Sequence, residues 1–352
     1  MVDYERTPTI RDIARQANVS VATVSRIVNG RSGYGAATRD RVLEVIERLG
    51  YTPNAIAKGL VQKRTHTIGV LLPSVTSQFA SELLGGIETR AHRENFSAIV
   101  CNTDRDGRRT AEYLRVLAEK QVDGIVFTSE VLTDEYERMI ERMRVPVVLV
   151  STMSNRYQIP YVRVDDEKAA YAATEYLILR GHVRIGMVAG TESDPIAGQL
   201  RIDGYRAALR AHGIESNDET IVHGDFHFAR GKEAAGELLD NAPNLTAIFA
   251  ASDEMALGVL SAAWERGLTV PDDLSVVGYD DTTAAHMAIP PLTALSQPIR
   301  RMGESAVEML IERRNDSVVL PFSISERASV RDLRGGAGIG RADDPTDRGG
   351  ST

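Results

Sequence analysis

The chain has 352 residues, 43% of them hydrophobic and 26% charged, a globular balance that excludes wholesale disorder and leaves room for two or three domains. No apolar run approaches the roughly 18 residues needed to cross a bilayer. The start, MVDYERTPTIRDIARQ, carries charges where a secretory signal has its apolar core, so a cytoplasmic protein is expected. A single cysteine, Cys101, rules out an intrachain disulfide and a cysteine-rich zinc site. The net charge of -8 conceals an asymmetry: residues 1–64 hold eleven Lys+Arg against six Asp+Glu, and the remainder is acidic. A basic head on an acidic body points to an anionic partner for the head, with nucleic acid first.

Thr9 followed three residues on by Asp12 makes a capping box, and Ile10, Ile13, Ala14 and Ala17 follow at helical spacing, which predicts a short first helix. Asn18 tolerates a left-handed turn. Ser20 then caps a second helix that buries Val24, Ile27 and Val28 and ends at Asn29-Gly30. A third helix over about 38–49 turns Val42, Val45, Ile46 and Leu49 to one side and stops at Gly50. Two short helices on a tight turn fit helix-turn-helix geometry, in which the second helix enters the major groove. Val21, Ala22, Ser25 and Arg26 lie off the core. Arg26 suits the bidentate contact to guanine, and Val21 and Ala22 suit a thymine methyl. Thr23, Ser25 and the helix N-terminus at Ser20 suit phosphates. An ordinary three-helix domain with a solvated arginine is the plainer alternative.

From Thr67 onward short apolar runs alternate with amphipathic stretches: TIGVLL, SAIVC, VDGIVFT and VPVVLV, then VRIGMVA, LTAIFA and LSVVGYD. Parallel strands separated by helices, for example over 197–212, 229–240 and 253–266, are the natural reading. Seven strands in about 220 residues suggest two open sheets rather than a barrel, with any ligand beyond the carboxyl ends of the strands.

The runs TIRDIARQANVSVATVSRIVNG, TRDRVLEVIERLGYTPNAIAKGL and RTHTIGVLLP resemble the lactose/galactose repressor (LacI type) family of bacterial transcription regulators, and the likeness continues to about residue 330. It implies a multi-domain protein: a small all-α helix-turn-helix head over 1–52, a hinge helix and linker over 53–65, and a two-lobed α/β periplasmic-binding-protein-like body over 66–330. Lobe one would take about 66–161 and 291–323, and lobe two about 162–290 and 324–330. The three crossovers would fall near 161–164, 288–292 and 322–325. By the same resemblance Thr9 and Asn29 join the DNA contacts of the head, and Asn54, Ala57, Lys58 and Leu60 are those of the hinge. Leu60 would be the apolar wedge at the central base step and Lys58 a neighbouring polar or phosphate contact. A segment so short, with Gly59 in it, is a marginal helix alone.

The resemblance also implies an effector between the lobes, contacted by Arg201 in QLRIDGY, Asp280 in VVGYDD, Phe226 in HGDFHF, Ser252 in AASDEM and Phe79 after the first body strand. An arginine, an acid and a flat aromatic wall are what a polyhydroxylated ring needs, so a sugar or nucleoside is the ligand class. Each residue has a plainer role: Asp280 or Asp281 as a cap, Arg201 as a surface cation, Phe226 as core, Ser252 as the cap of the helix opened by Asp253 and Glu254. The family's usual Asn-Pro-Phe is Ser77-Gln78-Phe79 here, and near Pro298-Ile299 the one polar group is Gln297.

His223, Asp225 and His227 alternate along one short run and read as loop polarity rather than a metal site. No dinucleotide fingerprint, phosphate loop or nucleophile elbow is present, so no cofactor and no catalysis are expected. A solute-binding protein and a sugar-modifying enzyme are the rivals. The Gly-, Asp- and Arg-rich end, 331–352, reads as disordered and lacks a leucine heptad. A homodimer, whose two heads reach two half-sites of a pseudo-palindromic operator about one turn apart, is the expected assembly.

Overall fold

In a computed structural model of the chain, residues 8–51, 64–104, 108–129, 131–154 and 156–334 are described. Two compact units divide between His66 and Thr67.

The first unit holds α1 (Ile10–Gln16), α2 (Val21–Val28) and α3 (Ala36–Leu49). Its apolar positions converge as their spacing requires: Ile13, Ala14, Ala17, Val24, Ile27, Val42 and Val45 form one buried cluster, with Ile10, Val28, Ile46 and Leu49 packed on its edge. The breaks are chemical. Asn18 at φ 50°, Gly30 at φ 64° and Gly50 at φ 61° take the left-handed conformation that ends or turns each segment.

The second unit has two six-stranded sheets. The first contains β1 (Thr67–Leu72), β2 (Ser97–Asn102), β3 (Gly124–Thr128), β4 (Val147–Val150), β5 (Tyr161–Arg163) and β11 (Val318–Val319), in the order β11-β5-β4-β3-β1-β2. The second contains β6 (Ile185–Ala189), β7 (Ile221–His223), β8 (Ala247–Ala250), β9 (Ser275–Asp280), β10 (Thr293–Ser296) and β12 (Ser323–Ser325), in the order β12-β10-β9-β8-β6-β7. Pairing is parallel except for β12, which runs antiparallel to β10. In the first sheet α4 (Gln78–Arg93) and α12 (Ile299–Glu312) cover one face through Leu83, Ile87, Met302 and Ala306 against Ile68, Val70 and Val126. On the other face α5 (Thr110–Glu119) and α6 (Asp134–Met143) bring Leu114, Leu117 and Ile140 onto Leu71, Ile125 and Phe127. A parallel sheet covered on both faces has strands that are apolar throughout rather than alternating, and β3 and β4 are buried at every position. The second sheet is wrapped by α7 (Asp166–Ile178), α8 (Arg201–Ala211), α9 (Phe228–Asn241) and α10 (Asp253–Glu265), which share one core with its strands.

The chain crosses between lobes three times, and all three expected boundaries move. β5 pairs with β4, Leu149 opposite Tyr161, so lobe one runs to Arg163. The second crossing is at 297–298 rather than near 288–292, because β10 pairs with β9 in the second sheet. Ile289-Pro290-Pro291 reads like a linker, yet it only joins α11 (Thr283–Met287) to a four-residue strand too short to announce itself. The third crossing lies between β11 and β12, at 320–322. The tail expectation is corrected as well. Residues 331–334 are tied to the second lobe: the Leu333 N–H donates to the Arg180 carbonyl at 2.8 Å, and the Arg331 carbonyl lies 3.1 Å from His182 Nε2.

Candidate functional site

In the head, α2 is amphipathic by construction. Ser20 Oγ accepts from the Thr23 N–H at 3.1 Å and caps the helix, with the two hydroxyls 2.9 Å apart. Val24 and Ile27 are buried, which leaves Val21, Ala22 and Arg26 exposed on the opposite side, with Thr23, Ser25 and Asn29 half-buried between. Asn29 Nδ2 donates to the Ser25 carbonyl at 2.7 Å and closes the helix end. Thr9 anchors α1: its N–H and its hydroxyl both reach Asp12 Oδ2, at 2.9 and 2.7 Å. Of the expected contacts of the second helix, Val21, Ala22 and Arg26 thus share one outward face. Asn54, Ala57, Lys58 and Leu60 lie outside the described residues.

In the body, a cavity of about 360 Å³ opens between the two lobes at the carboxyl ends of the strands, and Phe79, Arg201, Phe226, Ser252 and Asp280 all line it. That volume is in the small-molecule range. Arg201 is no surface cation. It is buried, with Nε donating to Asp166 Oδ1 at 3.0 Å, Nη2 2.9 Å from the same oxygen and Nη1 donating to the Ala251 carbonyl at 2.6 Å. Its guanidinium carbon stands 3.7 Å from the Tyr279 ring centroid and 5.8 Å from that of Phe226. The Phe226 ring lies against the end of β6 because residue 190 is glycine: a Cβ there would come within 2.0 Å of the ring.

Asp280 ends β9 at φ 110°, a conformation L-residues rarely adopt and one that marks functional strain. Gln297, at the second crossing, holds it: Nε2 donates to Asp280 Oδ1 at 2.7 Å and the Gln297 N–H to the Asp280 carbonyl at 3.2 Å. Burial raises the Asp280 carboxyl pKa to about 7, against the opposing pull of Arg201 and the Gln297 hydrogen bond. Burial and the neighbouring Asp280 also push Asp253 well above the ordinary carboxylate range. Asp253 Oδ2 accepts from Thr282 N–H at 2.6 Å and Thr282 Oγ1 at 2.9 Å, while its Oδ1 is buried with no hydrogen-bond partner. Ser252 does what the plainer reading said and caps α10, accepting from the Met255 N–H at 3.2 Å, while it also lines the cavity.

Lobe one supplies hydroxyls and aromatic surface: Ser74, Ser129, Ser151, Thr133, Tyr136 and Phe79. Ser77, in place of the family's usual asparagine, caps α4 by accepting from the Ala80 N–H at 3.2 Å and so presents Phe79 in the first turn. Four lining residues, Ser129, Ser151, Phe226 and Asp280, follow or end strands with positive φ. Sequence reading missed Asp166, Asp194 and Asp253. Each stands in or just before the first turn of a helical segment, where an acid looks like a dipole partner and nothing else. His223 Nδ1 pairs with the Gly190 carbonyl at 2.8 Å, a local role in the loop beside the cleft.

Two family profiles match the chain. One, described as bacterial regulatory proteins of the lacI family, covers residues 9–54; the other, described as periplasmic binding proteins and sugar binding domain of the LacI family, covers 65–325. The chain is 42% identical over 329 residues to catabolite control protein A of Priestia megaterium, across 92% of this chain and 99% of that protein. It superposes on the Lac repressor dimer bound to operator and the anti-inducer ONPF with a TM-score of 0.84, at 30% identity over 93% of this chain and 100% of that one. A complex of the transcriptional regulator CelR with cellobiose matches with a TM-score of 0.71 and 33% identity, over 92% and 99% of the two chains.

Proposed function

Because the chain belongs to the LacI family of bacterial transcription regulators, we propose that it is a cytoplasmic, dimeric repressor whose hold on a pseudo-palindromic operator is set by a sugar or nucleoside bound between its lobes. The carrying observation is that one chain holds both parts: a helix-turn-helix head that leaves Val21, Ala22 and Arg26 outward, and a cleft that gathers Arg201, Asp280 and Phe226. In this reading Arg26 reads guanine and Val21 and Ala22 a thymine methyl. Thr9, Ser20, Thr23, Ser25 and Asn29 position the head on phosphates, and Asn54, Ala57, Lys58 and Leu60 supply the further DNA contacts. In the cleft, Asp280 accepts from ligand hydroxyls, the remaining Arg201 N–H groups donate, and Phe79 and Phe226 face the ring. CelR holds a sugar in its complex, which supports the ligand class.

Effector binding acts by favouring one relative setting of the lobes, and so shifts a two-state equilibrium. The reading assigns the chain no catalytic step. Selection of bound genomic fragments by the purified full chain, at fixed and stated salt because phosphate contacts make affinity steeply salt-dependent, tests it. A palindromic consensus is expected. A library with no enriched sequence, with and without a panel of neutral sugars and nucleosides, removes the reading.

A further inference from the structure

The cleft gathers more acid than base. Arg201 is the one cation among its described lining residues, and it is already committed to Asp166 and to the Ala251 carbonyl. Arg163 also faces Asp166, its Nη1 3.7 Å from Oδ2. Against Arg201 stand Asp194, Asp253, Glu254 and Asp280 on the lining itself, with Asp166 and Arg163 paired behind it; Asp166, Asp253 and Asp280 are almost wholly buried. Asp194 is itself half-buried, and its Oδ1 accepts the N–H groups of Ile196 and Ala197 at 2.8 and 3.0 Å. An incoming anion therefore meets only the remaining N–H groups of an already paired guanidinium, amid an excess of carboxyl groups at low dielectric.

Geometry records the crowding independently. Asp253 Oδ1 is covered and has no donor within reach, packed so closely on β9 that a Cβ at Gly278 would lie 2.6 Å from it. A buried carboxylate oxygen with no donor disfavours the charged form, against the two hydrogen bonds that Thr282 gives to Oδ2. Its charged surroundings are Asp280 and Asp281 at the end of β9; beyond Asp280 lie Arg201, Asp166 and Glu82.

We propose that the cleft, which holds an excess of carboxyl groups over guanidinium, admits uncharged, hydroxyl-rich ligands and turns away their phosphorylated forms. Crowded together out of water, Asp253 and Asp280 share at least one proton at neutral pH. The proposal rests on the cleft being the effector site and narrows the class of effector it takes. Serine and threonine hydroxyls on the lobe-one wall, with no lysine or arginine among its described lining residues, fit the same ligand.

Two measurements on the full chain test it. In calorimetric titrations with matched pairs (glucose and glucose 6-phosphate, ribose and ribose 5-phosphate, adenosine and its monophosphate), any pair that binds does so through the neutral member, with the phosphate at least ~100-fold weaker. A phosphate that binds more tightly than its parent overturns the proposal. Carbon-13 NMR of aspartate carboxyls between pH 4 and 9 decides the matter even where no pair binds. At least one resonance is expected to titrate above pH 6 and to be altered in both D280N and D253N. A spectrum in which every aspartate titrates below pH 5 overturns it. Operator binding indifferent to a neutral ligand that calorimetry shows to bind would sink the effector reading and leave the charge selection standing.

Discussion

Asp280 shows what a buried cleft carboxyl costs its own fold. A carboxyl whose pKa rises on folding takes up a proton on folding, so its contribution is unfavourable once pH exceeds the ordinary carboxylate range, and the loss is complete above about 7. Asp280→Asn keeps an acceptor for Gln297 and tolerates the positive φ. It is expected to stabilise the protein at pH 8 by on the order of 1–4 kcal/mol, with the gain vanishing toward pH 4 and ligand binding lost. Denaturant melts at the two pH values check this, and equal stabilities at pH 8 would refute the burial argument. In the head, Arg26→Ala should cost about 1–3 kcal/mol and relax preference at one base per half-site; selection that returns the same consensus removes its base-reading role. Arg201, Asp280, Phe226, Ser252 and Phe79 were reached in the sequence through family motifs, whereas their supports were not. Asp166 meets Arg201 across 35 residues and Asp253 meets Thr282 across 29, and neither spacing has a local signature.

Among elements, legibility followed the local apolar pattern. The seven runs of apolar residues all became strands and the three predicted head helices all formed, because apolar runs, periodicity and caps are local. β5, β7, β10, β11 and β12 have between two and four residues each and lack the unbroken apolar run that marks the equally short β4 and β8, and all but β7 settle where a lobe begins or ends. The α4–α12 pair illustrates a contact that only the folded chain reveals. Gly303 and Gly86 let the two backbones touch: a Cβ on Gly303 would stand 2.4 Å from the Leu83 carbonyl oxygen, and one on Gly86 2.1 Å from that of Arg300. Backbone cannot step aside as a side chain tip can. Gly303→Ala is expected to lose about 1–3 kcal/mol, at roughly 2–4 °C of Tm per kcal/mol, and an unchanged Tm would show that the helices can part freely.

For the molecule as a whole, the cleft and the crossings are joined through Gln297, which grips Asp280 from the second crossing. Ligand on Asp280 therefore bears directly on a strand between lobes. Removing Arg201 alone would leave the buried Asp166 with only the longer Arg163 pair and the Tyr279 hydroxyl, so the informative variant is Arg201→Met with Asp166→Asn. It should fold and bind operator yet ignore ligand; retained response in an operator-binding titration would show that the cleft works without its arginine. The same three crossings govern how the chain is born. The head is complete once Gly50 is made, from contacts between neighbours, but lobe one waits for α12 and for β11, whose partner β5 was made some 155 residues earlier. Until then the apolar faces of α4 and β1 have no cover, and non-local pairing of this kind closes slowly. A ribosome that stalls before residue 299 thus releases a finished DNA-binding head on an unfinished, aggregation-prone body, which makes the last sixth of the message the part on which recovery of any folded protein depends.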